Sequence, residues 1–96
     1  MQDPCEIEVY EFEWDDRNEL HCARHSVTPV TAEEVKDGVP KFFANDPEKA
    51  GTHIMIGPDF AGRCWTIAIK PTGEPGRWRP ITGWPSDRAE VKRYNS

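Results

Sequence analysis

A small α+β domain, ordered β-α-α-β-β-β-α around an antiparallel sheet, is what the sequence predicts, and three patterns predict it. Aromatic and acidic residues alternate from Glu8 to Trp14. Two short polar segments with helix-capping residues follow. The second half then holds three apolar runs separated by turns rich in Pro and Gly. At 96 residues the chain has room for one hydrophobic core. Residues 1–96 are therefore expected to form a single domain, with residues 1–6 a flexible N-terminal segment. Four Trp, four Phe and two Tyr offset a hydrophobic content of only 36%, and a disordered chain would lack them.

Tyr10, Phe12 and Trp14 alternate with Glu11 and Glu13, the period of a half-buried strand. Asp15-Asp16 supplies an N-cap for a helix over about 16–24, with Leu20 and Ala23 as its inward positions. Thr31-Ala-Glu-Glu34 has the form of a capping box, opening a second helix that ends near Asp37 with Gly38 as a left-handed terminator. Two prolines, Asn45-Asp46 and Gly51 mark 39–51 as a loop. Strands are expected at 52–57, 63–70 and 77–82, joined by short turns into a meander with 63–70 at its centre. Pro80 lacks an N–H, so its strand lies at an edge or carries a bulge. Ser86 caps a last helix that runs to Tyr94.

Net charge is −5, which argues against a protein that coats nucleic acid by bulk attraction. The distribution is uneven. Residues 1–22 carry eight acids against Arg17 alone, whereas 60–96 carry seven bases against three acids. A local basic face on an acidic protein follows from that split, with ordinary solvated charge as the plainer alternative. No apolar run approaches the roughly 20 residues that cross a bilayer, so no membrane association is expected. The acidic start lacks a basic-plus-apolar leader pattern, and Cys5, Cys22 and Cys64 suggest free thiols. A cytoplasmic location is the expectation.

His21, Cys22 and His25 form the most metal-like cluster, but two helical imidazoles fall short of the four ligands of a structural zinc site. No metal and no cofactor is expected. G-x-S-x-G, the P-loop and the dinucleotide glycine pattern are all missing, which excludes those enzyme classes. Metal-independent cleavage of RNA needs a base at the 2′-hydroxyl, cations for the developing phosphate charge and an acid for the leaving oxygen. Aromatic faces that hold unstacked bases assist it. Arg63, Arg77-Trp78-Arg79, Trp84 and Arg88 interleave these residue types in the β-rich half. Arg77 and Arg79 share a strand face, Trp78 points to the core, and Trp84 lies beyond the strand.

Glu11-Phe-Glu-Trp-Asp15, Asn18, Arg24-His-Ser-Val27 and Glu33-Glu-Val35 resemble the opening of the BrnT family. His53-Ile-Met-Ile-Gly57, Gly62-Arg63, Arg77-Trp-Arg79 and the Glu90…Tyr94 ending keep the family's order, from about Glu11 to Tyr94. The family's turn reads Lys-His-Gly-Val where this chain has Arg24-His-Ser-Val27. The family's last strand usually ends in Ser-Ala-Arg where this chain has Thr82-Gly-Trp84, an indole in place of a cation. The closing helix also carries fewer Arg than is usual.

The resemblance implies a RelE-like fold and the toxin of a type II toxin–antitoxin pair, an endoribonuclease that inhibits translation. A ribbon-helix-helix antitoxin is the implied partner, with operator DNA bound only through it; a homodimer is compatible. On this reading His25, Arg63 and Arg79 are catalytic, His25 because an imidazole can serve as base or acid near neutral pH. Arg24, Arg77, Trp84, Arg88 and Lys92 are the substrate-binding positions. Plainer roles stay open: His25 at a helix end, Arg63 paired with Asp59, Arg79 facing solvent. The alternative function is a non-catalytic protein-binding module on the same scaffold.

Overall fold

The structure, a computed structural model, describes residues 4–96. Eight elements follow one another: β1 (Glu11–Phe12), α1 (Asp16–Ala23), α2 (Pro29–Asp37), β2 (Lys41–Ala44), β3 (His53–Pro58), β4 (Cys64–Pro71), β5 (Arg77–Pro85) and α3 (Arg88–Tyr94). The strands form one sheet in the order β1-β5-β4-β3-β2, with β4 central as expected. The α+β class is correct, but the sheet has five strands and is mixed, because β1 runs parallel to β5. No helix among the described residues is long and apolar enough to cross a membrane.

Side-chain alternation along β4 divides the core between two layers. Trp65, Ile67 and Ile69 pack with Met55 and Phe12 beneath α1 and α2, which contribute Cys22, Ala32 and Val35. Ala68 packs on the opposite face with Phe43, Ile54 and Ile56, against Tyr94 of α3. Short helices suffice because each buries only a narrow stripe. In α1 that stripe is Asn18 and Cys22, while Leu20, expected inside, is 63% exposed.

Several local expectations are corrected. β2 arises inside the expected loop: Lys41-Phe-Phe-Ala44 is too short to stand out between Pro40 and Asn45, and its partner β3 supplies the order. β1 pairs over two residues only, Glu11 with Arg77 and Phe12 with Trp78. Before it, the chain runs extended with Ile7 and Val9 turned onto the core, tied by Cys5 N–H to Phe42 O and by Trp78 Nε1–H to Glu8 O. Of the expected flexible segment, residues 1–3 lie outside the described residues. Helix α2 starts three residues early, since Thr28 caps it and Pro29 occupies the first turn, where a missing N–H costs nothing. Asp87, not Ser86, caps α3, in a reciprocal box with Glu90. Gly38 has φ −87° and is not left-handed.

Two features fix how α1 meets the sheet. Ile69 pairs with Pro80 and Ala68 with Thr82, leaving Ile81 as an extra residue in β5, which is the bulge that Pro80 foretold. Asn18, 3% exposed, then covers the strand edge that β1 vacates. Its Nδ2 donates to Pro80 O at 2.9 Å and to Glu13 O at 2.8 Å, while its Oδ1 accepts from Asp15 N–H at 2.8 Å. After α1 the chain reverses through Ser26, which has a left-handed φ of 70°. That reversal seats Val27 against Gly83, where an added Cβ would lie 3.1 Å from the valine methyl.

Asn18→Ala leaves three backbone groups without their partner and should cost about 2–3 kcal/mol. The check is a lower urea midpoint at unchanged slope. Ser26→Gly relieves the left-handed strain and should raise stability by about 0.5–1 kcal/mol in the same assay.

Candidate functional site

The N-cap at Asp15 sets the rotation of α1 and thereby points Arg17, Asn18 and His21 towards the end of β5. Lys70 of β4 and Arg79 of β5, directly paired across the strands, face them with Ile81 of the bulge. These six residues line a cleft of about 220 Å³.

Arg79 is the most constrained of its cations. Its Nη1 meets Glu13 Oε1 at 3.1 Å and Asp15 Oδ2 at 2.9 Å, and its Nη2 donates to Asp15 Oδ1 at 3.0 Å. The bond from Arg79, with the Asn18 N–H, holds the Asp15 carboxyl down at about 2, and the carboxylates of Asp15 and Glu13 push the guanidinium further up. Arg77 shares Glu13 at 4.0 Å and also meets Glu11 and Glu74 at 3.6 Å, so both arginines project from one face as expected. By contrast, no acid among the described residues pairs with Arg17, His21 or Lys70. The cleft therefore presents unneutralised donors beside one clamped guanidinium, an arrangement that suits an anionic oxygen group. His21 adds an imidazole whose ring nitrogens can donate or accept a hydrogen bond.

A second cleft, of about 490 Å³, opens on the α3 face. Ile54, Ala68 and Thr82 floor it, Trp84 walls it, and Lys49 and Arg93 stand at its rim. Both carboxylate oxygens of Glu90 accept from the Trp84 indole N–H, at 3.0 and 3.1 Å, and Glu90 also accepts from Asp87 N–H. The ring is thus fixed by the cap of α3. Lys70 follows Ala68 by two strand residues and projects from the same face, roughly 7 Å further on.

The structure does not bring the three expected catalytic residues together. Arg63 precedes β4 at the end opposite Lys70, seven residues from Arg79's cross-strand partner, or roughly 23 Å along the strand. Its guanidinium lies over Trp65 at 4.7 Å, and its N–H donates to Asp59. The Trp65 indole N–H, then the backbone donors of Arg63 and Ala61, keep the Asp59 carboxyl below its ordinary value. Arg24 and His25 are exposed in the turn after α1, and neither lines the cationic cleft, whose imidazole is His21. Arg88 and Lys92 are exposed on α3, and the α3 cation at the Trp84 cleft is Arg93. Trp84 lies within β5, half-buried, and not beyond it.

Sequence reasoning missed Arg17, Lys70 and Lys49. Arg17 and His21 at helical spacing were a usable signal; nothing local marked Lys70 or Lys49. Cys22 is fully buried, which pushes its thiol up to about 11, and it stands apart from the two exposed imidazoles beside it. Among the described residues no three His, Cys, Asp or Glu side chains gather as metal ligands. No family model, curated protein or solved structure matches the chain.

The depressed Asp15 carboxyl contributes stability that is complete above the ordinary carboxylate value of 3.8 and is lost as pH falls towards about 2. Asp15→Asn, which keeps a capping side chain, should flatten acid unfolding across that window. Circular dichroism at decreasing pH is the check.

Proposed function

We propose that the chain is a BrnT-like toxin of a type II toxin–antitoxin pair, RelE-like in arrangement, that cuts RNA without a metal. The observation that carries this reading is the cleft in which Arg17, His21 and Lys70 have no acid partner among the described residues, beside Arg79. In that cleft Lys70 and Arg79 would hold the scissile phosphate and stabilise its developing charge. His21, in the place first expected of His25, would take the proton of the attacking 2′-hydroxyl. The phosphorus–2′-oxygen bond forms as the phosphorus–5′-oxygen bond breaks, the leaving 5′-oxygen takes a proton from solvent water, and a 2′,3′-cyclic phosphate remains.

Two further observations support the resemblance. Its opening segment supplies Asp15 and Asn18, the cap and the amide on which α1 depends. Its glycine position is Ser26 here, a residue with a left-handed φ. A cytoplasmic ribbon-helix-helix antitoxin would have to neutralise the cationic cleft, and acids opposite Lys70 and Arg17 would do so. Operator DNA would enter only through that partner.

A second reading, a non-catalytic binding module, is favoured by Glu13 and Asp15, which already occupy Arg79. Purified protein incubated with RNA in EDTA separates the two. The toxin reading expects cleavage that falls at least tenfold in Lys70→Ala and in His21→Asn. Arg63→Ala, at the far end of β4, should change it less than twofold. Loss in Arg63→Ala alone would move the reaction to that end of the sheet, and no cleavage by any preparation would leave the binding module.

A further inference from the structure

The Trp84 cleft takes no part in the phosphate chemistry above, yet its construction is specific. Its floor is apolar and well packed: Ile54 is 7% exposed and Ala68 1%. Its wall is an indole whose N–H is spent on Glu90, so the ring offers a face and not a donor. Glu90, which also lines the cleft, holds that ring through both its oxygens and accepts from Asp87 N–H through one of them. Lys49 also lines the opening, as does Arg93, which is stacked at 4.1 Å over Phe43. Lys70 stands one same-face position beyond Ala68.

We propose that this cleft takes one unpaired nucleobase of single-stranded RNA, stacked on Trp84, while an adjoining phosphate of the same strand reaches Lys70. The proposal rests on the toxin reading for the identity of its ligand. Three properties favour a nucleotide over an apolar peptide. The cleft has an aromatic wall, its volume of about 490 Å³ has room for a nucleobase, and Lys49 at the opening and Lys70 beyond the floor suit a phosphodiester. A base still paired in a duplex cannot offer its face to the indole, so the site selects unpaired RNA. With the indole N–H engaged and Thr82 the polar side chain on the floor, stacking outweighs edge recognition, and little discrimination among bases is expected.

The test uses the full chain, labelled with nitrogen-15, and reads the Trp84 indole N–H resonance, assigned with Trp84→Phe. The probe is a mixed-sequence RNA octamer methylated at every 2′-oxygen, which cannot be cut, added as a single strand and as a duplex with its complement. The single strand should shift the Trp84 signal saturably and the duplex should not. Trp84→Ala should weaken binding roughly tenfold, and Trp84→Phe, which keeps a stacking face, less than threefold. An unmoved indole signal, an equal response to duplex, or unchanged binding in Trp84→Ala overturns the proposal. The wild-type signal decides it even if Trp84→Ala fails to fold. Cleavage that depends on Lys70 with a silent Trp84 would sink the base subsite alone. A shifted Trp84 in a protein that never cuts RNA would sink the reaction and keep the subsite.

Discussion

One buried carboxamide determines where strand pairing stops and the first helix begins. Asn18 bonds the carbonyl of Pro80, the carbonyl of Glu13 and the N–H of Asp15. A longer β1 would satisfy the edge of β5 with backbone and carry the chain past the turn. A two-residue β1 leaves that edge open, and the amide closes it with the right donor in the right place. Because the same side chain completes the cap of α1, the edge cannot be closed without also orienting the helix. Arg17 and His21 inherit their position from this coupling, since both lie on a two-turn helix whose rotation the cap fixes.

Pro80 acts on the same junction from the other side. Having no N–H, it cannot complete a regular ladder, and the extra residue Ile81 absorbs the mismatch. The bulge separates Arg79 from Thr82 in register while β4 continues unbroken from Ala68 to Lys70. One sheet face therefore carries an apolar floor and, immediately beyond it, a pair of cations. Gly83 permits the arrangement from beneath, because Val27 and Ile67 fill the space that a side chain would need.

The parts of this fold legible in the sequence are those written in local chemistry. Asp15 before a polar segment, Pro80 within an apolar run and the alternation of Trp65, Ile67 and Ile69 each state a local rule that the structure obeys. The parts that were not legible depend on partners remote in sequence. Lys41–Ala44 becomes a strand only through β3. Glu8–Trp14 alternates like a strand but pairs over two residues, because its inward positions pack on the core while Asn18 takes the edge. For the site, sequence order placed Arg77 and Arg79 on one face correctly. It could not weigh the distance between the two ends of β4, and Arg63 lies at the end opposite Arg79's partner Lys70. His25 was preferred to His21 because helical spacing treats the two alike, whereas α1 ends at Ala23 and leaves His25 in the turn.

The acidic N-terminal third, which argues against nucleic acid by total charge, has a more specific consequence once its partners are known. Glu13 and Asp15 neutralise Arg79 but engage only three of the five donors that a guanidinium carries. They hold the fork rigid with the remaining edge still available. A free arginine on a strand would lose more side-chain entropy on meeting a phosphate. The clamp therefore trades attraction for order: it weakens the long-range pull on a polyanion and sharpens the geometry offered at contact. Lys70 and Arg17, with no acid partners among the described residues, supply the attraction that the clamp removes. An acidic protein can hold RNA locally on these terms, provided that recognition depends on a few placed donors and not on its overall field.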